Sequence, residues 1–295
     1  MHNREINKKE TDKKIETKSH IYEKRTTIGY STIGKQGTLK IVSIMNFLQD
    51  AASEHADLMG VSGFHLAQEN LAWVIFRYHI EIKRDPDWND NIIITTDRFS
   101  CKNLYEIRNL TIIKNENPLR EDFHINSQEN QIVNAKVCWV MVNKKNGKPV
   151  RLSKFMDKEM IERSKPLKDV SVKLSSKEAD KGIDYYFPEI IKPETIHYQL
   201  PFKVRMHDLD LNGHVNNAIF VEWGVETVPE SILSKFSPDT IDVIFNKESL
   251  YGDIIVSHTE IREDAEKLLT FHSIIRQQDQ AELAILNIVW RSLNK

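Results

Sequence analysis

Side chains that could catalyse hydrolysis are concentrated in one short segment, which reads RMHDLDLNGHVNN over residues 205–217. Asp210, Asn212 and His214 occupy alternate positions, so an extended backbone would point all three side chains in one direction. Gly213 permits a sharp turn into the apolar helix that is predicted to follow. A carboxylate, an amide and an imidazole gathered at such a point could hydrolyse an activated acyl group.

The start of that predicted helix would help such chemistry. The first backbone N–H groups of a helix have no partner within it, and they form the positive end of its dipole. Negative charge that develops on a carbonyl oxygen under attack would be stabilised there. However, Asp and Asn are also favoured N-caps and Asn-Gly is a common turn pair, so Asn216 and Asn217 could simply bond nearby backbone. The residues alone leave capping and catalysis both open.

Glu248 is the second candidate, at the end of the predicted strand that reads TIDVIFN over residues 240–246. A carboxylate at a strand end can serve as a general base where its surroundings position it, although most such glutamates are only solvated. Other nucleophile systems are poorly supported, because the chain has no GxSxG elbow and no HExxH segment. Cys101 and Cys138 lie on apolar-patterned strands and are expected to be unreactive.

The composition excludes several classes of protein. The 295 residues include 41 Lys and Arg against 43 Asp and Glu, and this balance disfavours a dedicated nucleic-acid binder. Hydrophobic residues make up 40%, which predicts a packed core. The two cysteines lack metal-ligand spacing, and no glycine-rich nucleotide loop occurs, so neither a metal nor a cofactor is expected. The absence of a signal-peptide pattern and of a long apolar stretch predicts a cytoplasmic protein without membrane insertion.

Two series of elements are predicted, each with one helix and several antiparallel strands. The first has a helix over 39–59 and strands over 71–82, 92–99, 104–113 and 131–143. The second has a strand over 200–206, a helix over 214–228 and strands over 240–246, 253–262, 267–276 and 281–291. Because the order of elements matches, we interpret the chain as a duplication of one α+β unit.

This interpretation divides the chain into four parts. Residues 1–21 are mostly polar and are predicted to form a mobile tail. The first unit is expected over 22–155 and the second over 197–295. The weakly patterned segment 156–196, with its prolines and polar runs, is predicted to be a linker that crosses the surface.

The motifs resemble those of one enzyme family, the acyl-acyl carrier protein thioesterases of plant plastids and bacteria. DLDLNGHVNNAIFVEW is similar to the family's helix-entry motif, and IDVIFNKESLYGD to the segment with its second catalytic carboxylate. WVIFRYHIEIKRDPDWNDNIIITT and VCWVMVNKKNGKPVRL resemble strands of the family's first repeat. The resemblance runs from Ile21 to Arg291. It implies an α+β fold, the tandem hot dog, in which the antiparallel sheet of each unit wraps a central helix.

The resemblance also implies roles for individual residues. Glu248, together with Asp210, would orient and deprotonate water. Asn212 and the amides of residues 213–215 would polarise the thioester carbonyl, and His214 would orient these groups or assist the departing thiol. The first unit has YSTIGKQGTLK before its helix in place of the Asp/Asn/His triplet, so the chemistry is expected in the second unit.

The implied substrate is a fatty acyl chain linked through phosphopantetheine to acyl carrier protein, and the implied reaction is hydrolysis that ends fatty acid synthesis. In this family the first unit holds the acyl chain. The substrate-binding residues expected here are Val42, Met45, Trp73, Ile75, Arg77 and Asn216. Ser249 stands where plant members have a cysteine once proposed as the nucleophile, which weakens a cysteine mechanism.

Alternatives remain at this level. An acyl-CoA thioesterase of the same fold would present the same residues, and a non-catalytic acyl-binding protein is a further possibility. A dehydratase of this fold is disfavoured because its HFPGxPxxPG-type segment is absent. The sequence leaves open the chain length, the carrier-protein surface, the identity of the general base, and whether the protein is a monomer or a homodimer.

Overall fold

The computed structural model describes residues 21–116, 130–162, 182–264 and 267–293. The predicted tail lies outside these ranges except for Ile21, as does the middle of the predicted linker, 163–181. The elements are, in chain order, β1 (Tyr22–Thr27), α1 (Ile41–Leu58), α2 (Gly63–Gln68), β2 (Leu71–Ile82), β3 (Asn91–Cys101), β4 (Tyr105–Lys114), β5 (Gln131–Asn143), α3 (Lys158–Glu162), β6 (Tyr198–Lys203), α4 (Asn217–Glu226), α5 (Glu230–Leu233), β7 (Phe236–Phe245), β8 (Ile254–Asp264), β9 (Lys267–Arg276) and β10 (Ala281–Ser292).

The strands form one continuous antiparallel sheet in the order β1-β3-β4-β5-β2-β7-β10-β9-β8-β6. The first five strands in this order belong to the first half of the chain, and the last five belong to the second half. Read outward from the centre, both halves have the same connectivity, since β2-β5-β4-β3-β1 corresponds to β7-β10-β9-β8-β6. This correspondence is the structural form of the predicted duplication.

The two halves join where β2 pairs with β7, with Arg77 opposite Ile244 at one end and Glu81 opposite Thr240 at the other. Helices α1 and α4 lie against the sheet and contact each other. One large apolar core contains residues of both helices and of both halves of the sheet. The expected α+β tandem hot dog is therefore confirmed.

Helix α1 forms because its apolar residues repeat at helical spacing. Ile44, Met45, Leu48, Ala51 and Ala52 are buried on one face, while polar residues cover the other. The chain turns away at Gly60, whose φ of 72° suits a residue without a Cβ. The predicted helix boundaries are thus close to those observed.

Some elements differ from the prediction. Strand β1 and helix α2 were not expected, and β7 begins at Phe236 rather than at residue 240. The early start of β7 includes Pro238, which is tolerated beside the register shift at Val289 and Trp290 in β10. Residue 206, expected in a strand, lies instead in a short 3₁₀ turn.

Candidate active site

The predicted catalytic segment forms a closed loop between β6 and α4. Leu209 and Val215 form an isolated antiparallel bridge at its base. Within the loop, the Asp210 amide donates to the His214 carbonyl at 2.7 Å, and the Gly213 amide donates to the Asp210 carbonyl at 3.0 Å. Gly213 has a φ of 79°, as its predicted role in the turn requires. We call residues 209–215 the second loop, because the first half of the chain contains a related one.

The Asp210 side chain organises this loop. Its Oδ1 atom accepts the Asn212 amide at 2.8 Å and the His214 amide at 3.3 Å, and its Oδ2 lies 3.4 Å from Asn212 Nδ2. The expectation of an extended segment with three parallel side chains is wrong, because the Asp210 carboxylate folds back onto its own loop. Asp210 therefore positions Asn212 and His214.

His214 and Glu248 are brought together by elements that are distant in the sequence. His214 Nδ1 lies 3.3 Å from Glu248 Oε2, and the two side chains are 35% and 65% exposed. Glu248 follows β7, and Arg276 Nη1 donates to its carbonyl at 3.3 Å. The next residue, Ser249, accepts the Val215 amide through its carbonyl at 3.0 Å, which ties this segment to the second loop. The pair is thus held in place and open to solvent.

Ser249 itself is not placed to act as a nucleophile. Its side chain is fully buried, and its hydroxyl donates to Asp253 Oδ2 at 2.8 Å. Burial opposes ionisation of Asp253, but the Leu250 amide, the Ser249 hydroxyl and Arg276 lower its pKa below the usual value. Ser249 and Asp253 therefore stabilise the turn that carries Glu248.

The contacts at the start of α4 show which of its polar groups cap the helix and which backbone amides are already bonded. Asn216 is the N-cap of α4, and its side-chain oxygen accepts the Ala218 amide at 2.9 Å. The amides of Gly213, His214 and Val215 all donate to groups of the chain itself, so they are not available to a substrate carbonyl. In the described part of the chain, the Asn217 amide at the first position of α4 has no acceptor.

Lys144 is a site residue that the sequence patterns did not indicate. It follows β5 in the first half of the chain, and its Nζ lies 3.4 Å from Asn212 Oδ1. The contact joins residues that are 68 positions apart in the chain. The candidate site therefore draws on both halves of the molecule.

The expected acyl-binding residues of the first half do not all lie together. Met45 and Ile75 are buried in the large core, and Val42 packs against it. Trp73 packs in a neighbouring apolar cluster with its Nε1 donating to the Val61 carbonyl at 2.8 Å. Val42, Met45 and Ile75 thus belong to one apolar cluster and Trp73 to another, and both clusters include residues of α1 and β2.

Arg77 lies apart from them. A register shift between Ile75 and Arg77 turns its side chain toward residues 184–188. Its guanidinium lies 2.7 Å from Asp184 Oδ1, donates to the Pro188 carbonyl at 2.5 Å, and stacks over the Phe187 ring. The structure thus places Arg77 where it fixes the chain between the two halves, away from α1.

Burial raises the pKa of both Cys101 and Cys138, which keeps these thiols protonated. No cluster of three or more potential metal-binding side chains occurs within residues 21–116, 130–162, 182–264 and 267–293. In the same ranges, no helix is both long enough and apolar enough to span a bilayer.

Comparison with known proteins identifies relatives over most of the chain. Residues 19–160 match the family described as acyl-ACP thioesterase N-terminal domain, where ACP denotes acyl carrier protein. Residues 191–292 match the acyl-ACP thioesterase C-terminal domain. A chloroplastic dodecanoyl-[acyl-carrier-protein] hydrolase of Cinnamomum camphora is 24% identical over 92% of this chain. A chloroplastic oleoyl-acyl carrier protein thioesterase of Coriandrum sativum is 27% identical over 84%.

These alignments span 68% and 65% of the two plant proteins, respectively. Among solved structures, the 12:0-ACP thioesterase of Umbellularia californica superposes with a TM-score of 0.73 at 19% identity. That superposition covers 92% of this chain and 94% of the other, and it supports the fold. Because the two family matches together include both halves of the sheet and the second loop, this chain belongs to the acyl-ACP thioesterase family.

Proposed function

We propose that this protein is a thioester hydrolase that releases free fatty acid from acyl carrier protein by direct attack of water on the thioester. Membership of the acyl-ACP thioesterase family supports the reaction and the substrate class. The observation that carries the proposal is the contact of His214 with Glu248 beside Asn212, at the start of α4. An imidazole, a carboxylate and an amide in this arrangement can activate water and polarise a carbonyl group.

In the proposed mechanism, His214 accepts the proton from water. A proton on Nδ1 directed to Glu248 leaves Nε2 as an acceptor, and the carboxylate stabilises the imidazolium that forms. Water then attacks the thioester carbon, and a tetrahedral intermediate results. When its C–S bond breaks, His214 returns the proton to the departing pantetheine thiolate, so that the products are the free acid and the thiol.

The charge that develops on the carbonyl oxygen needs separate stabilisation. Asn212 retains an N–H beyond the one directed at Asp210, since its amide group has two donors. The Asn217 amide lies at the positive end of the α4 dipole. We assign these two donors to the thioester oxygen, in place of the amides of residues 213–215. Asp210 then acts as a positioning residue, because it holds the loop that presents Asn212.

The acyl chain would lie among the apolar side chains of the first half, around Val42, Met45, Trp73 and Ile75. The Lys144 contact supports this direction, because it places the end of β5 beside Asn212. Strand β5 pairs with β2, and Asn143 at the end of β5 lies opposite Leu71 at the start of β2. An acyl chain that enters near Lys144 would therefore run along these strands toward α1. Asn216, as the N-cap of α4, would act on the substrate only through the position of the helix.

The test is thiol release from acyl carrier protein loaded with chains of different lengths. His214→Ala is expected to lower kcat by a factor of about 10² to 10⁴, because the proton acceptor is lost. Glu248→Gln should cause a smaller loss, since it retains a polar partner for the imidazole. Circular dichroism melts would show that both variants are folded.

The outcomes separate two claims. If both variants hydrolyse the thioester at the wild-type rate, the assignment of the site is wrong. If the wild-type protein releases no thiol from any acyl carrier protein thioester, the proposed function is wrong. Loss in His214→Ala alone would place catalysis on the imidazole and reject the role of Glu248.

A further inference from the structure

The chain around Lys144 has an unusual concentration of positive charge. Residues 141–154 include five Lys or Arg residues and no Asp or Glu, whereas the whole protein is close to neutral. The five are Lys144, Lys145, Lys148, Arg151 and Lys154, and all are exposed. We call these five residues the basic surface.

Ion pairs among the described residues set the basic surface apart from several other lysines. Lys24, Lys114 and Lys192 pair with Glu54, Asp90 and Glu282, respectively. Within the described residues, no member of the basic surface forms an ion pair, and Lys144 contacts the neutral amide of Asn212. Five cations that have no acidic partner among the described residues are available to an external anion.

The local backbone holds this charge outward. The Asn143 side-chain oxygen accepts the Lys145 amide, and the Asn146 side-chain oxygen accepts the Lys148 amide, each at 3.0 Å. Gly147, with a φ of 65°, donates its amide to the Asn143 carbonyl at 2.8 Å. The asparagine side chains thus close this turn, and no lysine side chain helps to hold it. This agrees with a role for the lysine side chains in binding.

The basic surface also borders the candidate active site. Lys144 contacts Asn212, and the adjacent Leu211 is 85% exposed at the tip of the second loop. In the related loop of the first half, Lys35 occupies the position of Leu211 and pairs with Glu230. At the tip of the second loop, an exposed apolar side chain therefore lies near a cation that forms no ion pair among the described residues, an arrangement that suits an acidic partner.

We propose that the basic surface and Leu211 form the docking site for an acidic face of the carrier protein. This inference rests on the proposed function. The thioester must reach Asn212 and His214 through the phosphopantetheine arm, so the carrier protein has to bind beside the second loop. Unpaired cations there attract an acidic partner, raise the association rate and orient it with the arm directed at the site.

The experiment compares two double charge reversals. Lys145→Glu with Lys148→Glu alters the basic surface without touching Lys144, which contacts Asn212. Lys35→Glu with Lys235→Glu is the matched control, because it makes the same change in net charge beside the related loop of the first half. Each protein is assayed with acyl carrier protein thioesters and with the corresponding acyl N-acetylcysteamine thioesters, which carry no charge and no carrier.

We expect kcat/KM of the Lys145/Lys148 variant on the carrier-bound substrate to fall about tenfold or more, with most of the change in KM. The dependence of kcat/KM on salt should become weaker in this variant, because fewer charges guide association. Hydrolysis of the uncharged thioester should match the wild type. The control variant should match the wild type on both substrates.

A direct binding measurement separates this proposal from the proposed function. Titration of labelled holo carrier protein with each variant gives a Kd without any hydrolysis, and the same selective loss of about tenfold is expected. Equal Kd values for the wild type and the Lys145/Lys148 variant would overturn the docking site even if the enzyme is an active thioesterase. Loss of activity on both substrates would also overturn it, because the turn would then support the catalytic loop.

Discussion

The loop at Ile33–Leu39 and the loop at Leu209–Val215 have the same backbone and different side chains. Each is closed by an isolated bridge between its first and last residues. The Gly34 amide donates to the Thr38 carbonyl at 2.8 Å, as the Asp210 amide does to the His214 carbonyl at 2.7 Å. The turn glycines, at positions 37 and 213, have φ values of 81° and 79°. The loop conformation therefore does not depend on the catalytic groups.

The side chains at matching positions explain why only one loop is a candidate for catalysis. Gly34, Gln36 and Thr38 occupy the positions of Asp210, Asn212 and His214, respectively. Without the Asp210 carboxylate, nothing equivalent accepts the amides of the first loop, and Thr38 cannot act as an imidazole base. The two loops share the backbone that enters each helix, whereas only the second loop carries the Asp, Asn and His of the proposed catalytic set.

The carboxylates that follow β2 and β7 extend the comparison. The Leu39 amide donates to the Pro86 carbonyl at 3.1 Å, just as Val215 donates to Ser249, so Asp85 matches Glu248. Asp85 lies 2.6 Å from an Arg291 guanidinium nitrogen and accepts the Ser237 hydroxyl at 2.8 Å. One carboxylate is thus paired with a cation within the structure, whereas the other is exposed beside an imidazole.

Apart from changes to His214 and Glu248, the largest loss of kcat is expected when residues are exchanged between the two loops. Asp210→Gly places the first-loop residue in the second loop and removes the acceptor that holds Asn212. We expect kcat on acyl carrier protein thioesters to fall by about 10², because a misplacement near 1 Å can have this effect. The matched variant Gly34→Asp should leave kcat unchanged, since a Cβ there meets atoms only at ordinary contact distances of 3.6 Å. Equal kcat values in both variants would show that Asp210 does not position the site.

A second difference concerns the acyl chain, which only the first half is proposed to hold. Val42 packs against the core on α1, and Val42→Trp would add bulk at this position of the proposed acyl site. The preferred substrate should become shorter, as measured by kcat/KM across a series of chain lengths. Because the larger ring can also destabilise the core by about 1–3 kcal/mol, Val42→Leu serves as a milder variant with a smaller shift. An unchanged profile in both would reject this location for the chain.

The smallest expected effect is a change in stability at the junction of the two halves, where β2 pairs with β7. His79 on β2 lies 2.7 Å from Asp242 on β7. Burial opposes protonation of His79, but the hydrogen bonds and charges of Asp242 and Glu81 raise its pKa above the usual value. The stabilisation by protonated His79 is therefore complete below the pKa of His79 in the unfolded chain, about 6.5. It is lost as the pH rises through the raised pKa of His79 in the folded protein.

The measurement is the free energy of unfolding of the wild type and of His79→Gln as a function of pH. The wild type should be more stable by about 1 kcal/mol near pH 5.5, and the difference should shrink toward pH 9. A difference that grows with pH would mean that the neutral ring is the stabilising form at the junction.

The comparison of the two halves also shows what the sequence could predict. Long elements with strong periodicity, such as α1 and the strands β2, β5 and β10, are found near their predicted positions. Strand β1 was missed because YEKRTT is polar on its exposed face and only half-buried on the other, as befits an edge strand. Helix α2 has six residues, too few for a helical period to be evident.

The candidate site was predictable only in part. The spacing of Asp210, Asn212 and His214 indicated three residues that the structure does bring into one loop, but a period-two pattern could not reveal that the loop closes on itself. The contacts of Lys144 with Asn212 and of His214 with Glu248 join residues that are far apart in the chain. Such contacts depend on how the sheet brings strand ends together, which local patterns do not encode.

The most direct test of this account compares the two matching carboxylates. Steady-state thiol release from acyl carrier protein thioesters is measured for Glu248→Gln and for Asp85→Asn, with the folded fraction of each determined by circular dichroism. Glu248→Gln should lower kcat about tenfold or more, because His214 loses its charged partner. Asp85→Asn should retain the wild-type kcat and lose only thermal stability, since Arg291 loses its partner. No loss in Glu248→Gln would reject the proposed role of Glu248, and equal losses of kcat in the two variants would contradict the central proposal that the catalytic side chains lie in the second half.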